Sequence, residues 1–211
     1  MYSVLIADDH AMIRAGLRDW LQREPSISRF AESATSAETL QQLRQATWNL
    51  LVLDINLPDR SGLDILRQIR NTHPDVKVLV MSAFAEKQYA VNVLRAGAAG
   101  YFAKDQGPAE FLNAVRTVLG GQHYLSEAVS DLLVSALDGP QEQAAHAQLT
   151  EREFRILCKL AEGRSVSEIG AQMFISAKTV SAYRARILAK MQMSTNADLT
   201  SYALRSGLIL A

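Results

Sequence analysis

The sequence of 211 residues has little of what would place a protein outside the cell or in a membrane. Its one cysteine, Cys158, cannot form an internal disulfide bond, which favours a reducing, intracellular compartment. No apolar run approaches the roughly 18 residues that a membrane-spanning helix needs. No basic segment precedes an apolar one at the N-terminus, so no signal peptide is predicted. We therefore expect a cytoplasmic protein with no membrane partner.

The sequence also lacks net charge, which by itself argues against a nucleic-acid partner. The charges are nevertheless unevenly distributed. The segment 126–148 has four acidic residues and no basic one, whereas the segment 149–211 has nine basic and five acidic residues. The last segment is therefore positively charged, as expected of a segment that binds nucleic acid.

The first half of the sequence alternates short apolar runs with amphipathic segments. Strands are predicted at 2–7, 29–33, 49–53, 77–81 and 99–102, and helices at 10–23, 36–45, 62–72, 87–96 and 108–119. The runs NLLVL and KVLVM are apolar on both faces, which is typical of parallel strands buried between two layers of helices. This alternation predicts an α/β doubly wound five-stranded parallel sheet over residues 1–122.

The second half contains only helical patterns. Residues 123–147 are predicted to be a linker with one amphipathic helix at 126–137, because the following segment, DGPQEQAAHAQ, has little to bury. Four further helices are predicted at 150–162, 165–173, 176–191 and 195–206, which makes residues 148–211 an all-α domain. Ser36 and Ser176 are the predicted N-caps of their helices.

Polar residues follow the predicted strands of the first domain. Asp8 and Asp9 follow the first strand, Asp54 follows the third, Ser82 follows the fourth, and Lys104 comes shortly after the fifth. Because the carboxyl ends of parallel strands meet at one edge of an open sheet, these side chains should converge. Three carboxylates so close together repel one another, and a divalent cation relieves that repulsion. Their hard oxygen atoms suit Mg²⁺.

Such a set fits phosphoryl transfer, which needs a nucleophilic carboxylate, a metal ion and donors to the phosphate oxygens. Asp54 would be the nucleophile and therefore the phosphoacceptor. Asp9 and Asp54 would bind the metal directly, with the carbonyl of Asn56 as a third ligand and Asp8 acting through water.

The remaining two side chains of the set, Ser82 and Lys104, would donate to the phosphate oxygens, which is an ordinary role for a lysine. Each feature has a simpler explanation when it is taken alone. A pair of aspartates after a strand is usually a helix cap, and a lone lysine there is usually solvated. The joint placement on successive strand ends favours the functional interpretation.

The motifs LIADDH, LVLDINLPDRSGLD, VLVMSAF and AGAAGYFAKD contain these residues and together resemble the receiver domain of two-component response regulators. The resemblance covers nearly all of residues 1–122 and implies a flavodoxin-like fold. It also implies that a partner histidine kinase, or a phosphotransfer domain, phosphorylates Asp54 in the presence of Mg²⁺. It further implies a switch in which Ser82 moves toward the phosphate and Tyr101 changes rotamer.

The helical pattern over 165–191 is that of a helix-turn-helix, whose second helix enters the major groove of DNA by its N-terminal half. The residues predicted to lie near the DNA are Lys178, Thr179, Ser181, Ala182 and Ala185. Phosphate contacts, which position a protein without specifying a sequence, are predicted for Lys178, Arg184, Arg186 and Lys190. An amphipathic helix with a solvated charged face is the simpler alternative.

The motifs LTERE, EIGAQMFISAKTVSAYRARILAKM and LTSYALRSGLI resemble the LuxR-type domain of the NarL/FixJ response regulators over about residues 148–211. This resemblance favours DNA binding over a merely solvated helix. Tyr183 stands where many members have histidine, and the residues predicted to face the bases include three small ones, Ser181, Ala182 and Ala185. Direct base contacts are therefore predicted to be few, with DNA shape contributing to recognition.

These features together predict a DNA-binding transcription regulator that is switched by phosphorylation and acts as a homodimer on two half-sites. Two alternatives stay open: a phosphatase, for which the sequence offers no acid/base residue near Asp54, and a phosphorylation-independent adaptor, which the complete set of site residues disfavours. The four histidines do not cluster in the sequence, so no metal or catalytic role is predicted for His10, His73, His123 or His146.

Overall fold

The computed structural model describes residues 1–60, 62–82, 87–125, 129, 145–206 and 208–209. The chain divides into two compact units, Met1–Gly139 and Pro140–Ala211. The helix predicted at 126–137 falls outside the described residues, apart from position 129. No helix in the described part of the chain is both long and apolar enough to span a membrane.

The first unit is a five-stranded parallel sheet with the strand order β2-β1-β3-β4-β5, which confirms the predicted doubly wound fold. The strands are β1 (Tyr2–Ala7), β2 (Ile27–Ser33), β3 (Leu50–Asp54), β4 (Lys77–Ser82) and β5 (Gly100–Ala103). The helices are α1 (Ala11–Gln22), α2 (Ser36–Gln45), α3 (Gly62–Thr72), α4 (Lys87–Arg95) and α5 (Pro108–Leu119). Strand β2 begins two residues earlier than predicted, because it pairs with the whole of β1.

The core of this unit extends past the end of α5. Tyr124 is buried against the ring of Phe102, and its backbone N–H donates to the carbonyl of Ala99 at 3.0 Å. Its carbonyl accepts from the N–H of Tyr101 at 3.4 Å. A Cβ at Gly100 would lie 3.0 Å from the Tyr124 Cβ, so the absence of a side chain there permits this close approach. The chain leaving α5 is thus bound to the edge of β5.

The prediction that Ser36 caps α2 is wrong. Thr35 is the N-cap, and its hydroxyl oxygen accepts from the N–H of Glu38 at 3.2 Å. Ser36 is the first helical residue, and its hydroxyl and N–H both donate to Asp59, at 2.5 and 2.9 Å. The carboxylate comes from the loop between β3 and α3, and it binds N–H groups that the start of a helix leaves free.

The second unit contains the four predicted helices, preceded by a 3₁₀ turn at Ala145–Gln148. They are α6 (Glu151–Ala161), α7 (Val166–Gln172), α8 (Ala177–Met191) and α9 (Asn196–Arg205). Ser176 caps α8, as predicted, because its hydroxyl oxygen accepts from the N–H of Thr179 at 3.0 Å. The other three helices begin with reciprocal capping boxes, at Thr150, Ser165 and Thr195.

The turn between α7 and α8 is tight and depends on two special backbone positions. The N–H of Ile175 donates to the carbonyl of Gly170 at 2.9 Å, and a Cβ at Gly170 would lie 2.7 Å from the Ile175 carbonyl oxygen. Phe174 has a positive φ of 54° and is 95% exposed. The close approach at Gly170 sets α7 and α8 in the contact that a helix-turn-helix requires.

Candidate functional site

The carboxyl edge of the sheet brings together residues from three strands. Asp8 directly follows β1, Asp54 ends β3, and Lys104 follows β5. The Lys104 Nζ lies 2.6 Å from the Asp8 Oδ2 and 2.6 Å from the Asp54 Oδ2. The two carboxylate side chains are 2% exposed and the lysine side chain is 11% exposed. Three residues that are far apart in the sequence thus form one buried ionic group.

Two neighbours complete the acidic end of this group. Asp9 is partly exposed, and its Oδ1 lies 2.7 Å from the Nδ1 of His10. One ligand atom from each of Asp8, Asp9, His10 and Asp54 lies within 4.8 Å of the others. The sequence alone predicts no role for His10, because the four histidines do not cluster in it. Its position directly after the two aspartates was the signal that could have identified it.

The other predicted site residues lie around Asp54 and Lys104. The N–H of Asn56 donates to the Asp54 Oδ1 at 3.0 Å, while the Asn56 residue itself is exposed. Ser82 is fully buried at the end of β4, and its carbonyl accepts from the backbone N–H of Lys104 at 2.7 Å. Tyr101 is buried in β5. The strand ends therefore bring Asp8, Asp54, Ser82 and Lys104 to one edge of the sheet, whereas Tyr101 lies within β5, paired with Val80.

The electrostatics of the site follow from two buried carboxylates that share one ammonium group. Burial raises the pKa of Asp54, and the charge and hydrogen bond of Lys104 only partly oppose this. Burial by itself would lower the pKa of Lys104, but the charge of Asp54 and the hydrogen bonds to Asp54 and Asp8 outweigh it and raise that pKa. The raised pKa of Lys104 favours its charged form, and three neighbouring carboxyl groups, of Asp8, Asp9 and Asp54, outnumber it. Clustered carboxylate oxygens suit a hard divalent cation.

Arg14 is a supporting residue that the sequence did not reveal. Its Nη1 donates to the backbone carbonyl of Asp8 at 2.6 Å, and its Nε donates to the Glu32 Oε2 at 3.2 Å. The arginine on α1 thereby ties the end of β1 to β2. This contact fixes the backbone from which Asp8 and Asp9 project.

In the second unit, helix α8 presents most of the predicted DNA contacts to solvent. The exposed residues are Lys178, Thr179, Ser181, Ala182, Ala185 and Arg186. The N-terminal half of α8 is therefore accessible over the whole of the predicted base-facing surface.

Two predicted phosphate contacts are half-buried and engaged within the unit. The Arg184 Nε donates to the Asn196 Oδ1 at 2.6 Å. The Lys190 Nζ lies 2.7 Å from the Oε2 of Glu153, whose side chain is only 4% exposed. The sequence pattern cannot distinguish such cations from free ones, because their partners come from other helices.

Both halves of the chain match known protein families. Residues 4–116 match the response regulator receiver domain, and residues 147–203 match the bacterial regulatory proteins of the luxR family. Response regulator UvrY of Escherichia coli is 32% identical over 209 residues, which cover 99% of this chain and 96% of UvrY. Response regulator GacA of Pseudomonas protegens is 31% identical over 209 residues, which cover 99% and 98%.

Solved structures share the fold. RcsB of Salmonella typhimurium has a TM-score of 0.62 and 23% identity, covering 96% of this chain and 98% of that chain. RcsB bound to the promoter P1flhDC in the presence of the phosphomimetic BeF₃⁻ has a TM-score of 0.60 and 24% identity, covering 95% and 97%. The two family matches and the full-length relatives place the chain in the NarL/FixJ family of two-component response regulators, DNA-binding transcription regulators that join a receiver domain to a LuxR-type helix-turn-helix domain.

Proposed function

We propose that Asp54 accepts a phosphoryl group from a partner histidine kinase or phosphotransfer domain, and that this phosphorylation controls DNA binding by α8. The observation that carries the proposal is the buried group of Asp54, Asp8 and Lys104, with 2.6 Å between the ammonium nitrogen and each carboxylate. A buried ion pair is costly to build, and this one holds a nucleophilic oxygen beside a cation that can bind phosphate.

In the proposed reaction, an Asp54 carboxylate oxygen forms a bond to phosphorus while the P–N bond of the donor phosphohistidine breaks, and the released imidazole takes up a proton. Lys104, which bonds to Asp54 before the reaction, then bonds to a phosphoryl oxygen. The hydroxyl of Ser82 is the second proposed donor to that group. We propose that the site acts only on its own phosphorylation and dephosphorylation and turns over no external substrate.

The proposed cofactor is Mg²⁺, with Asp8, Asp9, Asp54 and the backbone carbonyl of Asn56 as its ligands. The fit rests on ligand atoms of Asp8, Asp9 and Asp54 that lie within 4.8 Å of one another, with Asp8 and Asp54 sharing a single lysine. When bound, the ion would neutralise charge on the phosphoryl oxygens. The half-exposed carboxylate of Asp9 is accessible from solvent, whereas Asp8 and Asp54 are almost fully buried.

A proposed route leads from the phosphate toward the linker. Phosphorylation is proposed to draw Ser82 toward the phosphate and to change the rotamer of Tyr101, which pairs with Val80, two residues before Ser82, in the neighbouring strand. The N–H of Tyr101 bonds to the carbonyl of Tyr124, where the chain leaves α5. A change at β5 therefore acts on the backbone that continues into the linker.

The proposed output is binding of double-stranded DNA by a homodimer, one recognition helix in each half-site. The exposed N-terminal half of α8 and the positive charge of residues 149–211 support it. The proposed DNA contacts are Lys178, Thr179, Ser181, Ala182, Arg184, Ala185, Arg186 and Lys190. Regulation of bacterial genes takes place in the cytoplasm, so we propose that location.

The test compares the mass in solution and the DNA affinity of the full chain with and without beryllofluoride plus Mg²⁺. We expect the phosphate mimic to increase both quantities in the wild type and in Asp64→Ala, an exposed control on α3. Asp54→Ala should respond in neither measurement, because the mimic has no carboxylate to bind. A wild type that responds in neither measurement would contradict the proposal.

A further inference from the structure

Tyr183 in α8 gathers two arginines from two different helices. The guanidinium carbon of Arg186 lies 5.0 Å from the centroid of the Tyr183 ring, and that of Arg152, in the first turn of α6, lies 5.8 Å from it. Contacts of this kind between a guanidinium and an aromatic face are attractive. Both arginines are exposed, whereas the ring is half-buried. The half-buried ring therefore contacts one guanidinium from each of two helices.

Among the described residues, no carboxylate pairs with either of these arginines. Neither arginine lies within ion-pair distance of a carboxylate in the part of the chain that the structure describes. The glutamates on either side of Arg152 in the sequence, Glu151 and Glu153, are buried, and Glu153 already bonds to Lys190 and to the N–H of Thr150.

This arrangement has an electrostatic cost that an anion would relieve. Two like charges beside one ring repel each other, and a cation in the first turn of a helix is disfavoured by the helix dipole. A negative group between or beside the two arginines would offset both of these costs. The geometry therefore points to an external anion, and the planar fork of arginine suits a phosphate.

The place of Arg186 on α8, relative to the residues predicted to contact DNA, points to the DNA backbone as the source of that phosphate. Lys178, Ala182 and Arg186 follow one another at intervals of four residues and therefore lie on the same face of α8. At about 1.5 Å per residue, Lys178 and Arg186 are about 12 Å apart along the helix axis. The major groove is also about 12 Å wide. With the Lys178 end of α8 in the groove, the Arg186 end reaches the backbone beside it.

We propose that Arg152 and Arg186 together bind one backbone phosphate of DNA, and that Tyr183 is the residue that positions them. This inference rests on the proposed binding of DNA by α8, and it adds a contact from α6. Tyr183 acts through the two arginines and makes no contact with a base. A phosphate contact does not depend on the base sequence of the DNA. Its effect is to set the depth and orientation of α8 in the groove.

The test measures binding of the full chain, with Mg²⁺ and beryllofluoride, to a fluorescently labelled DNA duplex of mixed sequence over a series of KCl concentrations. Arg152→Gln and Arg186→Gln should each weaken binding about tenfold at low salt. The double variant should lower the slope of log affinity against log salt by about one, not two, because both arginines serve one phosphate. Arg205→Gln, an exposed arginine of α9, is the matched control and should bind as the wild type does.

The positioning role of Tyr183 is tested by two substitutions. Tyr183→Phe keeps the ring and should retain the affinity and salt slope of the wild type, whereas Tyr183→Leu should lose affinity as the arginine variants do. Thermal unfolding of each variant reports whether it folds. If Tyr183→Leu does not fold, the arginine variants still test the shared phosphate site.

The outcomes separate this inference from the proposed function. If Lys178→Gln weakens binding while Arg152→Gln does not, DNA binding by α8 stands and the shared phosphate site is wrong. If Tyr183→Phe binds as weakly as Tyr183→Leu, the ring does not position the arginines through its face. If the wild type binds no duplex at any salt concentration, both proposals fail.

Discussion

The two units of this chain hold their charged side chains in opposite ways. In the first unit, Asp8, Asp54 and Lys104 are almost fully buried and bond to one another. In the second unit, Lys178 and Arg186 extend into solvent from α8. Buried charges interact strongly through a low effective dielectric, whereas exposed charges are weakened by water and salt. Substitutions should therefore have large, local effects in the first unit and smaller, salt-dependent effects in the second.

The largest effect is expected for Asp54→Asn. The amide cannot act as the nucleophile, so incubation with acetyl phosphate and Mg²⁺ should add no phosphoryl group, which intact-protein mass spectrometry measures. Asp64→Asn changes an aspartate side chain that is 68% exposed and should leave phosphorylation at the wild-type level. Phosphorylation of Asp54→Asn to the wild-type extent would mean that another residue is the acceptor.

The next largest effect is expected for Lys104→Met in the absence of Mg²⁺. This substitution leaves Asp8 and Asp54 buried without their cation, and the free energy of unfolding should fall by about 3 kcal/mol. Added Mg²⁺ should restore part of this loss, because it stabilises only the folded site. Urea unfolding measures both values. Lys77→Met, at the exposed start of β4, is the control. If it lowers the free energy of unfolding as much as Lys104→Met does, the loss does not come from leaving buried carboxylates without a cation.

A smaller pair of effects should separate two lysines of α8. Lys190, although a proposed DNA contact, pairs with the buried carboxylate of Glu153, so Lys190→Gln should lower the free energy of unfolding by about 1 kcal/mol and weaken DNA binding less than Lys178→Gln does. Lys178→Gln should change the free energy of unfolding little, and lower the salt slope of DNA binding by about one. Urea unfolding and fluorescence anisotropy measure the two properties. If both variants lose DNA affinity equally, the contact with Glu153 does not withdraw Lys190 from DNA.

The smallest effect concerns an ion pair at the edge of the first unit. The Nε of Arg116 donates to the Glu24 Oε2 at 2.6 Å, and this hydrogen bond holds the pKa of Glu24 below its usual value although burial opposes it. A lowered pKa in the folded state adds stability above the unfolded pKa of about 4.3, and that stability is lost as the pH falls through the folded value.

Arg116→Gln should therefore destabilise the protein by less than about 1 kcal/mol at neutral pH, since the arginine side chain is 60% exposed. The difference from the wild type should shrink and disappear in acid, where Glu24 is protonated in both states. Urea unfolding over a pH series checks this. A difference that persists unchanged below the folded pKa of Glu24 would assign the effect to packing of the arginine stem instead.

The comparison between the units also shows which features the sequence could predict. The convergence of Asp8, Asp54 and Lys104 followed from strand periodicity and from the common edge of parallel strands. The cap at Ser36 was predicted wrongly, because the carboxylate of Asp59 comes from a distant loop and binds that serine instead. The nearness of His10 to the acidic cluster depends on the turn after β1. The spacing of the histidines in the sequence carries no information about that turn.

By itself, the sequence determined the order of strands and helices, the edge of the sheet at which the acidic site forms, and the helix that we propose faces DNA. These features depend on local periodicity and on the general geometry of parallel sheets and helix-turn-helix pairs. Only the tertiary structure decided which charges have partners: Lys190 bonds to a buried glutamate, whereas Arg152 and Arg186 contact the Tyr183 ring and pair with no carboxylate in the described part of the chain. Such partners come from segments distant in the chain, and packing brings them together in a way that no local pattern contains.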